Sequence, residues 1–194
     1  MVRRPASSLI KTGVMFFLGY LLIQSVELDL KQAQFTADAA DKLKEYIVTL
    51  NGENAPGGEA QYQATALALG GFGGVAAYPL VETIDRGDER RIAWGKVGLE
   101  QAGRIAPDET CRVLEAVIDD PTRSYKWLTR KTAVEVACSV GCLSARGPLG
   151  RLKGSLDGMS ELTALQRRDF AAVIDEALSR LERAASRQKG WRLN

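Results

Sequence analysis

Apolar residues recur at helical spacing along most of the chain, and three stretches of that pattern are near-copies of one another. They read Leu80-Val-Glu-Thr-Ile-Asp85, Leu114-Glu-Ala-Val-Ile-Asp119 and Leu152-Lys-Gly-Ser-Leu-Asp157. Each keeps a Leu, a bulky aliphatic four positions on, and then Asp. The spacing puts the two apolar side chains on one helix face, and Asp favours helix ends and turns. The copies start 34 and 38 residues apart. A period of that size predicts stacked helical hairpins.

The elements between the copies follow the same grammar. Leu28, Phe35, Leu43, Ile47 and Leu50 predict a stalk helix over 27–50, followed by a Gly- and Asn-rich loop over 51–58. Glu59 to Leu69 reads as a helix, broken by Gly70–Gly74. Pro79 is expected to start a short helix carrying Leu80, Ile84 and Asp85. Asp88-Glu89 begins the next helix, loosened at Gly103. Pro107 opens its partner, with Cys111, Leu114, Val117 and Ile118 inward. Asp120-Pro121 is expected to start a third hairpin, whose helix ends near Gly141. Gly147-Pro148 opens the last copy. Ser160-Glu161 is expected to cap a final helix of about Leu162 to Ala185 within a closing segment, 158–185, that leaves a basic tail over 186–194.

With the copies, the Gly-ended helices before them and the Pro or Asp at hairpin starts, residues 59–157 resemble a short array of HEAT-like (armadillo-type) repeats. The resemblance implies an all-α solenoid of helical hairpins whose second helices line a concave side. It also implies a scaffold that binds other proteins. The copies depart from the pattern at Gly70–Gly74 and at Gly154-Ser155.

The N-terminus adds a location. Thr12 to Val26 carries no charge and includes Phe16, Phe17, Leu18, Tyr20, Leu21, Leu22 and Ile23. Fifteen helical residues reach roughly 22 Å, short of a core of about 30 Å, but extending back to Ala6 with a snorkelling Lys11 lengthens the span. Residues 1–26 are therefore expected to be a membrane anchor. A signal or transit peptide and a buried or partner-binding helix are the alternatives. Arg3, Arg4 and Lys11 precede the span, whereas Glu27, Asp29, Asp38 and Asp41 follow, with Lys31 the one basic residue among them. That asymmetry leaves the N-terminus cytoplasmic and the main domain on the outer, periplasmic or equivalent, side.

Composition mostly removes options. The chain is 45% hydrophobic and 26% charged, as a folded protein is, and its net charge of +2 does not suggest nucleic acid as a partner. It contains no histidine, which removes the usual general base and imidazole metal ligands. Cys138 and Cys142 share one helix face and Cys111 lies on the preceding helix. The three either pack as buried thiols, form a disulfide from Cys111 to Cys138 or Cys142, or make a thiol redox or metal site. Gly71-Phe-Gly73-Gly-Val-Ala76 has the letters of a dinucleotide loop without the flanking strand, and reads as a turn. Ser8-Leu-Ile-Lys11 lies at the membrane edge and reads as coincidence. Asp119-Asp120 reads as a cap or a solvated face.

Together these features predict a non-catalytic scaffold or adaptor anchored in a lipid bilayer, an accessory subunit of a membrane complex with no cofactor and no evident small-molecule substrate. Its protein-binding residues are expected on the second helices of the hairpins (Glu82, Arg112, Glu115) and in the tail (Arg187, Lys189, Trp191, Arg192).

Overall fold

A computed structural model describes residues 36–52, 58–122 and 124–191. The anchor residues Phe16 to Ile23, the loop residues 53–57 and Arg192 lie outside the described residues. Among those described, no helix is long and apolar enough to cross a membrane. The chain divides into two compact units, Met1–Lys42 and Leu43–Asn194. In the first, residues 36–42 are helical.

The larger unit is all-helical, with no strand among the described residues. Helix α1 (36–51) contributes its residues 43–51. It is followed by α2 (Gly58–Gly70), α3 (Gly74–Arg86), α4 (Glu89–Ile105), α5 (Pro107–Ile118) and α6 (Trp127–Val140). A 3-10 turn (Leu143–Ala145) leads into α7 (Arg146–Ser155), and a second (Leu156–Gly158) precedes α8 (Ala164–Trp191). Alternate helices touch: α4 packs on α2 and α6, and α6 on α8, while α5 packs on α3 and α7. Consecutive pairs α3–α4, α5–α6 and α7–α8 also pack together.

The repeated Leu and aliphatic residues build the core. Leu80, Leu114 and Leu152 are buried on α3, α5 and α7, as are Ile84, Ile118 and Leu156 near the ends of those helices. At about 25 cal/mol per Å² of apolar surface, each such side chain contributes roughly 1.5–3 kcal/mol. Close backbone approach tightens the α2–α4 contact. A Cβ on Gly70 would stand 2.4 Å from the Gly98 carbonyl oxygen, and one on Gly98 would stand 3.0 Å from the Ala66 carbonyl oxygen.

Four boundaries differ from the sequence expectation. Pro79 lies inside α3, which begins five residues earlier, because Ala76 and Ala77 bury fully and offset the missing backbone donor. Gly103 does not end α4; a Cβ there would stand 2.4 Å from Val140 Cγ2, so its role is to admit α6. Asp120-Pro121 starts a loop rather than a helix, and α6 begins at Trp127. Finally, α8 is capped by Thr163 rather than Ser160. The Thr163 N–H donates to Gln166 Oε1 (2.9 Å) and the Gln166 N–H donates to Thr163 Oγ1 (3.2 Å), a reciprocal capping box. The helix then runs to Trp191, into the stretch expected as a tail.

Candidate partner-binding surface

Helices α3, α5 and α7 each bury one face and expose the other. On α3 the outward positions include Val75, Tyr78 and Arg86, with Glu82 half-buried beside them. On α5 they include Glu109, Arg112 and Ala116, with Glu115 half-buried beside them. Arg151 and the glycines Gly147, Gly150 and Gly154 are outward on α7. Val75 and Tyr78 are large side chains left 72% and 53% exposed.

The expected binding residues fall into separate places. Glu82 pairs with Arg86 one turn on at 3.3 Å, and Arg112 approaches Glu109 at 3.9 Å. These exposed pairs fix little. Arg112 and Glu115 do meet around one open groove of about 550 Å³, where α5 passes the end of α6. Ser144 Oγ donates to the Glu115 carboxylate across it. Glu82 is not part of that groove. Arg187 lies far along α8 beside Arg183 and Ser186. Lys189 and Trp191 fall within α8, and nothing is described of their side chains.

The groove is floored by a disulfide between Cys111 and Cys142, whose Cα atoms stand 5.5 Å apart. The pairing is local in space because Cys111 sits in the first turns of α5 and Cys142 just past the end of α6. Gly141, at φ +83°, turns the chain there in a left-handed conformation that suits glycine. Cys138 is the free thiol. It lines a charged cleft of about 310 Å³ between α4, α6 and α8, near the Lys96–Glu135 ion pair (2.6 Å) and Arg180. Burial pushes the Cys138 thiol up, and the nearby Arg180 only partly opposes it.

The most organised polar region is the corner after α5. Ile118 ends that helix, and the buried Arg130 donates an Nη2–H to its carbonyl at 2.7 Å. Asp119 is bridged by Arg151, whose Nε and Nη2 donate at 2.8 and 2.7 Å. That bridge lowers the Asp119 pKa and raises that of Arg151. Asp120 is 8% exposed and accepts from the N–H and hydroxyl of both Thr122 and Ser124, and from the Tyr125 N–H. Burial alone pushes its carboxyl up, but these donors outweigh it and hold the pKa at about 2. Asp85, the first copy's Asp, reaches across to α6. It accepts from the Lys126 N–H (2.9 Å) and Thr129 Oγ1 (2.8 Å), capping a helix that has no side-chain cap of its own.

The pKa shifts of these groups all move away from neutrality: Asp88, Asp119 and Asp120 down, Cys138, Tyr125 and Arg151 up. General acid–base chemistry needs a group shifted towards neutrality, and none of these qualifies. Among the described residues no three Cys, Asp or Glu gather closely enough to hold a metal ion. No protein-family description, curated protein or solved structure matches the chain.

Sequence reasoning missed Asp85 as the cap of α6, and it missed Arg130, Arg151 and Lys96. Each acts on a partner 12 to 44 residues away, which no local pattern marks.

Proposed function

We propose that residues 59–157 form a short HEAT-like solenoid that holds a protein partner without catalysing a reaction. The carrying observation is the equivalence of the three copies. Leu80, Leu114 and Leu152 are buried at matching positions of α3, α5 and α7, while Glu82, Glu115 and Lys153 between the repeated apolar residues keep contact with solvent. A row of parallel roles on alternate helices is what a solenoid presents to a partner. Arg112 and Glu115 at the groove, and Glu82 beside Val75 and Tyr78, are the contact residues. The basic end of α8 with Arg187, Lys189 and Trp191, and Arg192 next in sequence, are a second, charged contact.

The location belongs to the same reading. Residues 1–26 anchor the chain in a bilayer with the N-terminus cytoplasmic, and the main domain works on the outer side as an accessory subunit of a membrane complex. The Cys111–Cys142 disulfide supports an oxidising compartment. The rival, a thiol redox or metal protein using Cys111, Cys138 and Cys142, is less well supported. A reactive thiol needs a lowered pKa, and burial moves Cys138 the other way.

Affinity purification from detergent-solubilised membranes, read by mass spectrometry, tests the proposal. The wild-type chain is expected to bring down a defined partner, and Glu82→Arg/Arg112→Glu/Glu115→Arg to lose it without a change in melting temperature. A chain that purifies alone sinks the scaffold reading. Loss of function on replacing Cys138 by Ser favours the thiol reading instead.

A further inference from the structure

Helix α8 outruns the core it closes. Leu181 is the last of its described side chains to be buried, yet the helix continues to Trp191, about 15 Å further along its axis. Glu182, Arg183, Ser186 and Arg187 are exposed on that extension, and Ala184 and Ala185 are half-buried. The exposed side chains described there are all polar, so they offer no apolar seat of the kind that centres a protein interface.

Their charge is unspent. Past Glu176 the chain carries Arg180, Arg183, Arg187, Lys189 and Arg192 against the single acid Glu182. Arg180 is taken up by Glu176 at 2.5 Å. Arg183 and Arg187 meet no carboxylate among the described residues. Their Nε–H groups donate only to the carbonyls of Ser179 and Arg183, one turn back on the same helix, at 3.1 and 3.4 Å. Glu182 shares their shallow surface and pairs with neither. By contrast, Arg86, Arg151 and Lys153 are closed inside the chain by Glu82, Asp119 and Asp175. A spacing of four sets Arg183 and Arg187 on one stripe, and Trp191 follows at the next position of that register.

We propose that this end of α8 lies on a bilayer surface and binds the phosphate groups of anionic phospholipids. Two unpaired guanidinium forks match phosphate oxygens in shape and charge. A basic stripe with no exposed apolar face rests at headgroup level rather than inserting, and tryptophan is enriched at that level. Zwitterionic lipids offer phosphate without net charge, so the attraction requires anionic lipid. The inference rests on the bilayer anchor in the proposed function and gives the charged contact a lipid occupant. The anchor holds the domain near lipid, so a contact that is weak by itself suffices.

The full chain reconstituted in lipid nanodiscs tests it. Discs of phosphatidylcholine are compared with discs of equimolar phosphatidylcholine and phosphatidylglycerol, each carrying brominated acyl chains that quench nearby tryptophan. The signal is the part of the quenching that Trp191→Phe removes, since Trp94 and Trp127 remain. It is expected in the anionic discs alone and to fade as salt rises. Arg183→Gln/Arg187→Gln is expected to weaken the contact by about 25-fold, roughly fivefold for each charge. Both side chains are exposed, so the melting temperature should hold. Arg104→Gln/Arg168→Gln removes two exposed charges elsewhere and is expected to leave the signal intact. Absence of Trp191-dependent quenching, equal quenching in zwitterionic discs, or equal loss in the two double variants overturns the proposal. If Arg183→Gln/Arg187→Gln releases a captured protein while Trp191 stays unquenched, the lipid contact fails and the scaffold reading stands. Quenching in anionic discs by a chain that captures no protein keeps the lipid contact and sinks the scaffold reading. A chain that the discs do not retain loses both the anchor and this contact.

Discussion

Reducing the Cys111–Cys142 bond should cost several kcal/mol of stability without dismantling the fold. The bond joins positions 31 residues apart. The chain-entropy relation for a loop of that length gives about 3.7 kcal/mol at 25 °C, set by restriction of the unfolded chain. The folded side changes little. Cys111 and Cys142 are buried, at 8% and 2% exposure, and α5 still packs on α6 within a core that includes Leu114, Ile118, Ala133 and Ala137. Equilibrium urea unfolding of the purified chain, followed by circular dichroism with and without reductant, measures the difference. The midpoint should fall while the slope stays similar, and Cys111→Ala/Cys142→Ala should reproduce the loss. Cys138→Ser should leave the reductant effect intact. Alkylation under oxidising conditions should label Cys138 alone, and slowly, since burial raises its pKa. A reductant effect below about 1 kcal/mol would falsify the loop-closure account, and labelling of Cys111 or Cys142 without reductant would remove the bond itself.

Three further outcomes are expected. Asp120→Asn should cost about 2 kcal/mol at neutral pH, from a carboxyl held at about 2 when folded against 3.8 unfolded. The depressed folded pKa makes this a stability present above the unfolded value and lost as pH falls through about 2, so the wild-type advantage should shrink between those limits in pH-dependent denaturation; an advantage that is constant across that window contradicts the assignment. Two glycine substitutions should have opposite signs: Gly98→Ala forces a Cβ against Leu80 and the Ala66 carbonyl and should destabilise by roughly 1–3 kcal/mol, whereas Gly150→Ala should stabilise by up to about 1 kcal/mol, as melting curves will show. Leu114→Ala should cost about 2–5 kcal/mol, while Glu115→Ala beside it should change stability by roughly 0.5 kcal/mol or less and appear, if anywhere, in partner capture.

The core was legible because its signal is periodic and local. The three Leu-and-aliphatic pairs announce buried helix faces, and Asp88 and Pro107 mark starts that a single side chain or ring dictates. What was illegible is what depends on distant partners. Pro79 reads as a helix start until Ala76 and Ala77 are seen to be buried. Gly103 reads as a frayed end until Val140 is seen to press on it. The disulfide had two candidate partners for Cys111 on spacing alone, and the left-handed turn at Gly141 decides between them by swinging Cys142 back over α5. The proposed contact residues were legible only as polar positions among apolar ones, and the exposure of Val75 and Tyr78 was not legible at all.

The Asp85 cap has a consequence for how the molecule comes apart. A stack in which each helix leans only on its neighbours melts piecemeal, fraying from whichever end is weaker. Here a carboxylate on α3 holds the amide of Lys126, just ahead of α6, with two whole helices of chain intervening. Loosening α6 therefore uncovers a charge on α3, and loosening α3 leaves α6 without its cap. The two are tied like rungs that share a bolt, so amides of α3 and α6 should exchange with solvent in step, through a single opening event.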